Sequence, residues 1–222
     1  MSRDIHVMPL GKFWAGEYTT AAERFAEQQG AAFSRLGNPK AVAPQAEAYK
    51  MAKGARIWME RKFLTQDAWD DDGEIAFSEQ FRVEAFQATR AYAAHFQWPA
   101  DEPFTMESDF DAAPQLQRIR AGVPTDFPHL VHQQDIYVPL DFKHPTKLMG
   151  QPPTIGSSVR LLSELAKLRP SLNPVPSYDE WKAGTAIEAE NTGLHWVKYG
   201  VLFLYQACWL SLQHCLPVII DG

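Results

Sequence analysis

Apolar residues return at three- and four-residue intervals between Pro44 and Leu64: Ala48, Met51, Ala52, Ala55, Met59 and Phe63. That period places them on one face of a helix and turns it toward a core. Lys50, Lys53, Arg56, Arg61 and Lys62 then form a basic outer surface. The same spacing predicts a helix from about Glu74 to Gln97, with Phe77, Phe81, Ala85, Ala88, Tyr92 and Phe96 as its stripe. Thr20 followed by Glu23 is a capping-box signature. It opens a helix with Ala22, Phe25, Ala26 and Phe33 facing inward, closed by Gly37 ahead of Pro39. "GSSVRLLSELAKLRP" predicts a helix lined by Val159, Leu162, Leu165 and Ala166 and stopped at Pro170. Ser177 and Glu180 form a second capping box, opening a segment that runs, broken near Gly184 or Gly193, to Leu216.

Strand patterns are fewer. "DIYVPLDF" (135–142) is the clearest; "DIHVMPL" (4–10) and the terminal "LPVIIDG" read as shorter ones. The expected fold is therefore α+β and mostly helical, with about five or six helices and a small sheet of about three short strands. Residues 1–222 are expected to form a single globular domain. Residues 98–128 hold Pro99, Pro103, Pro114, Pro124 and Pro128 and read as irregular chain with one short helix, "PQLQRIRAG". Long connections of this kind tend to be functional.

Composition narrows the picture. At 45% hydrophobic and 22% charged, the 222-residue chain folds rather than remaining disordered. Net charge is −6, and residues 1–142, with fourteen Lys/Arg against twenty-one Asp/Glu, carry the whole acidic excess. An acidic surface disfavours binding to nucleic-acid phosphates. From Tyr199 to Ile220 no Asp, Glu, Lys or Arg occurs, a length that would span a bilayer. Gln206, Ser211, Gln213, His214 and Pro217 interrupt it, and no basic cluster flanks it, so a buried central helix is expected. Cys208 and Cys215 lie seven residues apart on that helix, too far for a disulfide. With an N-terminus that lacks a secretory apolar core, this points to a cytoplasmic protein.

Candidate chemistry begins with "DAWDDDGEIAFSEQF" (67–81). With Gly73 at position six of a calcium loop, Asp70, Asp72, Ile75 and Glu79 fall on positions three, five, eight and twelve. Position one is Ala68, which offers no side-chain oxygen. A charged helix–helix turn, with Asp72 as an N-cap, accounts for the same residues. "HLVHQQD" groups His129, His132 and Asp135, but the following residues read as a strand, where i and i+3 point to opposite faces, and there is no HExxH and no cysteine nearby. "TIGSSVR" (154–160) offers a helix N-terminus and Arg160 to an anion, although Ser157 or Ser158 as an ordinary cap explains it. There is no G-x-S-x-G elbow. Cys208 and Cys215 sit among apolar residues, a poor setting for a nucleophile.

No catalytic, cofactor-binding or metal residue is assigned, and the balance leans away from an enzyme. The leading expectation is a binding protein that acts by protein–protein contact, as a toxin-neutralising immunity-type protein does. Its acidic face would consist of Asp67, Asp70, Asp71, Asp72, Glu74, Asp101, Glu102, Glu107, Asp109 and Asp111. The expected partner is a protein with a basic surface, not nucleic acid and not a membrane. A hydrolase using several of Glu79, His95, His129, His132 and Asp135 is the second expectation, and a calcium-responsive module the third.

Overall fold

A computed structural model describes residues 2–31, 41–99, 104, 113–132, 134–184, 187 and 194–221. Strand β1 (Ser2–Val7) leads through Pro9 into α1 (Leu10–Trp14), a short helix that carries no clear sequence signal. Helix α2 (Ala21–Gln28) opens on the capping box, with the Glu23 N–H donating to Thr20 Oγ1 at 3.1 Å. Helix α3 (Gln45–Phe63) buries Ala48, Ala52, Ala55 and Met59. Strand β2 (Phe77–Arg82) and α4 (Val83–Gln97) follow, then α5 (Pro114–Arg120) and α6 (Pro128–Val131). Three strands come next: β3 (Ile136–Val138), β4 (Thr146–Leu148) and β5 (Gln151–Ser157). Helix α7 (Ser158–Leu168), a short 3-10 turn, α8 (Tyr178–Lys182), α9 (Leu194–His214) and β6 (Val218–Asp221) complete the described chain.

The sheet has six strands in the order β2-β1-β6-β3-β5-β4. It is mixed: β3 and β5 run parallel, and the other neighbours antiparallel. With nine α-helices among the described residues, this corrects the expected five or six helices and three strands. Of the helix expected from Glu74, residues Phe77–Arg82 form a strand and the helix starts only at Val83, because β1 offers a partner: Val7 pairs with Phe77 and Arg3 with Phe81. The stretch around Gly150 and Pro152–Pro153, which the strand patterns do not reach, is a hairpin. Its two turn residues, Met149 and Gly150, both have positive φ (49° and 80°), the conformation that suits the twist of paired strands.

Alternation along the strands feeds two cores. Ile5, Val7, Phe77, Phe81, Tyr137, Val218 and Ile220 pack with α4, α7 and α9 on one face. Met8, Ile136, Val138, Ile155 and Ile219 pack with α1 and α3 on the other. Helices α4 and α9 cross closely at Gly200, where an added Cβ would lie 2.1 Å from Thr89 Oγ1. Phe25, expected inside, is 64% exposed. No helix among the described residues is long and apolar enough to cross a membrane.

Candidate partner-binding face

Helix α3 ends in the left-handed conformation at Leu64 (φ 52°), and the chain turns again at Asp67 (φ 51°). Ala68 and Trp69 then plunge into the core beneath α3. Burying them fixes the loop, and polar contacts fix it further. Glu60 Oε1 accepts the Ala68 N–H at 3.2 Å, and the Trp69 indole N–H donates to Asp71 Oδ1 at 2.9 Å. Arg56 Nε lies 3.2 Å from Asp71 Oδ2, and the Arg56 guanidinium donates to the Trp69 carbonyl at 3.4 Å. On the far side the Asp70 N–H donates to the Cys215 carbonyl at 2.7 Å, tying the loop to the end of α9. The Asp72 N–H donates to Asp70 Oδ1 at 2.8 Å, closing an Asx turn. Gly73 fits because a Cβ there would sit 3.0 Å from both Asp70 Oδ2 and Leu216 Cδ2.

These contacts sort the acids. Asp71 is turned inward onto Arg56; burial raises its pKa above the usual carboxylate range, against the pull of Arg56 and Trp69. Asp67, Asp70, Asp72 and Glu74 are exposed. Lys12 approaches Glu74 at 3.4 Å. Glu17, which no sequence pattern singles out, joins them from the end of α1. It accepts the Tyr49 hydroxyl at 2.7 Å and the Gln45 amide at 2.5 Å, so neutral donors rather than a cation hold it. The Tyr49 pKa is pushed up to about 12, first by that bond to Glu17, then by burial and by the charges of Glu17 and Asp72. Glu17 and Asp72 therefore act on one phenol, and the loop and α1 share a negative field. Burial and the charges of Asp70 and Asp67 raise the Cys215 pKa, the wrong direction for a nucleophile. Asp101, Glu102, Glu107, Asp109 and Asp111 lie outside the described residues.

The calcium reading fails on Glu79. It sits on β2 rather than on an exiting helix, and it accepts from the Tyr178 hydroxyl at 2.8 Å and from Lys182 Nζ at 2.6 Å. Among the described residues, no group of three or more His, Cys, Asp or Glu could hold a metal ion. The proposed hydrolase residues do not converge either. His129 is buried with both ring nitrogens engaged: Nδ1 accepts the Ser157 N–H at 3.0 Å and Nε2 faces the Lys143 carbonyl at 3.2 Å. Burial lowers its pKa to about 4. His132 and Asp135 do share a polar cleft with Arg90 and Arg120, but His129 and Glu79 are not part of its lining. Asp135 lies 3.6 Å from Arg3. Ser157 caps α7 by accepting the Arg160 N–H at 3.1 Å.

The family model described as "Putative DNA-mimic protein" matches residues 1–220. The chain belongs to that family. No curated protein and no solved structure matches it. Membership in a DNA-mimic family overturns the immunity-type expectation, while the coarser expectation of a protein-binding role is compatible with it. It also corrects the expected partner: the expectation sets nucleic acid aside altogether, whereas the family is named for likeness to DNA.

Proposed function

We propose that this DNA-mimic family member binds a DNA-binding protein by presenting fixed carboxylates where that partner expects phosphates. The observation that carries the reading is the pinned loop. Asp67, Asp70, Asp72 and Glu74 are exposed on a backbone tied down at Ala68, Asp70 and Asp72. Duplex DNA offers about one negative charge per 1.7 Å of axis, and its charges need no ordering before a protein meets them. Carboxylates on a preorganised loop share that advantage, since less conformational freedom is lost on association. Like-signed charges on one face also steer a basic partner and exclude acidic ones. The free thiols of Cys208 and Cys215 support action in the cytoplasm.

The test is competition. Proteins from the host cell that elute from duplex-DNA cellulose are passed over the immobilised protein, and each retained protein is purified and bound to a labelled duplex. The full-length mimic should displace the duplex, less effectively as salt rises. Replacing Asp67, Asp70, Asp72 with Asn and Glu74 with Gln should abolish displacement while the fold stays intact. A retained protein that holds the duplex undisturbed, or one displaced equally by the neutralised variant, would refute the reading.

A further inference from the structure

Helix α9 is apolar nearly all round, yet Trp209 on it is 43% exposed. It stands over a cleft of about 250 Å³ between α9, α8 and the turn after α7, lined among others by Arg169, Pro176, Tyr178, Asp179, Tyr205 and Trp209. Val201 and Leu202 form its buried floor. Two opposite charges border this aromatic space. The Arg169 guanidinium lies over the Tyr205 ring at 4.7 Å, which fixes its plane. Its one hydrogen bond among the described residues goes to the Val175 carbonyl at 3.4 Å, leaving most of its five N–H groups unengaged. The Asp179 carboxylate has no hydrogen-bond or ion-pair partner among the described residues. The neighbouring Glu180 is turned back onto the Ser177 N–H at 2.7 Å as part of the capping box and does not serve the cleft. Arg169 and Asp179 do not pair with each other among the described residues.

We infer that this cleft binds an aromatic α-amino acid. The ring stacks on Trp209 beside Tyr205, where flat apolar surface is already exposed. The α-carboxylate meets Arg169 and the α-ammonium meets Asp179. A purely anionic ligand would face Asp179, and a purely cationic one would face Arg169; the zwitterion satisfies both. The site is independent of the acidic loop, so it stands or falls apart from the DNA-mimic reading.

The probe is free L-phenylalanine, and the readout is the set of indole N–H resonances of the ¹⁵N-labelled full chain. Seven tryptophans give seven signals, and a Trp209→Phe variant assigns the one in the cleft. L-phenylalanine should shift the Trp209 signal saturably at low-millimolar concentration. Arg169→Gln and Asp179→Asn should each weaken binding about tenfold, the scale of one charge-assisted hydrogen bond. Phenylacetate and phenethylamine, each lacking one charge, should bind more weakly by a similar factor. Equal shifts from all three probes, a response at another indole, or no response from phenylalanine would overturn the assignment. Both charge variants lie at the rim, and unchanged signals from the other six indoles would show that the fold is retained.

Discussion

Glu164 and the acids of the 67–74 loop are chemically alike and structurally opposite. Glu164 is almost wholly buried on α7, where its two oxygens accept the N–H groups of His129 and Leu130 at 3.0 and 2.8 Å. Arg90, also buried, donates twice to the Val131 carbonyl. Together they hold α6: Glu164 takes the His129 N–H and shares the Leu130 N–H with the Phe127 carbonyl, and Arg90 takes the Val131 carbonyl at the helix end. In the loop the geometry runs the other way: backbone and indole groups hold the acids, and most of the carboxylates face water. Charge pointed inward serves the fold, and charge pointed outward on a fixed backbone serves a partner.

The comparison breaks if the two kinds of carboxylate can be exchanged in effect. Neutralising Asp67, Asp70, Asp72 and Glu74 together should cost affinity for the recovered partner on the order of a hundredfold, since exposed pairs are worth up to about 1 kcal/mol each. Chemical unfolding should show stability changed by no more than about 0.5 kcal/mol. Glu164→Gln should do the reverse. It leaves a buried N–H without its acceptor, lowering stability by about 2 kcal/mol, while affinity per folded molecule stays the same.

The buried pair also has a pH signature. Burial raises the Glu164 pKa to about 7, against the pull of the two N–H donors. The folded protein thus keeps a proton that the unfolded chain has released, and this contribution is present below the ordinary value of 4.5 and lost as pH rises through 7. His129 is held down to about 4, so its contribution is present above its ordinary value of 6.5 and lost as pH falls toward 4. The two slopes oppose each other between those limits. Glu164→Gln removes the carboxyl slope and leaves that of His129, so between pH 4.5 and 7 the urea midpoint of the variant should gain relative to that of the unaltered protein as pH rises. A profile parallel to that of the unaltered protein would remove Glu164 from the account.

Much of the helical framework was legible from its caps: α3, α7 and both capping boxes sit where Ala48–Ala52–Ala55–Met59, Ser157, Thr20–Glu23 and Ser177–Glu180 place them, but the face of α7 was misread, since it buries Leu161, Leu165 and Leu168 and leaves Ala166 exposed, and Met51 on α3 is exposed as well. Strand β2 was not, for a geometric reason. Phe77 and Phe81 are four apart, which is one face of a helix and also one face of a strand. Only pairing with β1, about seventy residues distant in sequence, decides between them. In the loop, the acids at 67–74 were visible as composition. What was not visible was that Asp71 turns inward while its neighbours do not, because that depends on Trp69 burying itself and on Arg56 arriving from α3. Glu17 joins through Tyr49 and Gln45, contacts that no local pattern announces.

Arg56 sharpens the comparison because charge alone and positioning predict opposite signs. Arg56→Gln makes the face more negative. If only net charge mattered, a basic partner would bind more tightly. Arg56 also anchors Asp71 and the Trp69 carbonyl, and losing it loosens the backbone that carries the exposed acids. The expected result is affinity weakened about fivefold, or ~1 kcal/mol, with Arg56→Lys intermediate because lysine lacks the planar fork. Tighter binding by Arg56→Gln in a fluorescence titration would show that the loop's order is irrelevant to recognition.

The smallest effect concerns the entrance to the loop. Leu64 is left-handed at φ 52° and 94% exposed, so it bears a backbone penalty and gains nothing from burial. A β-carbon in that conformation costs roughly 1–2 kcal/mol, which glycine avoids, although glycine also frees the unfolded chain. Leu64→Gly should therefore raise stability by about 1 kcal/mol, read as a higher urea midpoint with unchanged slope. Because its neighbours Asp67 and Asp70 hold the face by charge, affinity for the partner should not move. A variant that gains stability and loses affinity would place Leu64 itself in the contact, since strain kept at an exposed position is the mark of a residue retained for binding. The outward face would then be an apolar contact ringed by acids, and the contrast with Glu164 would rest on exposure rather than on charge.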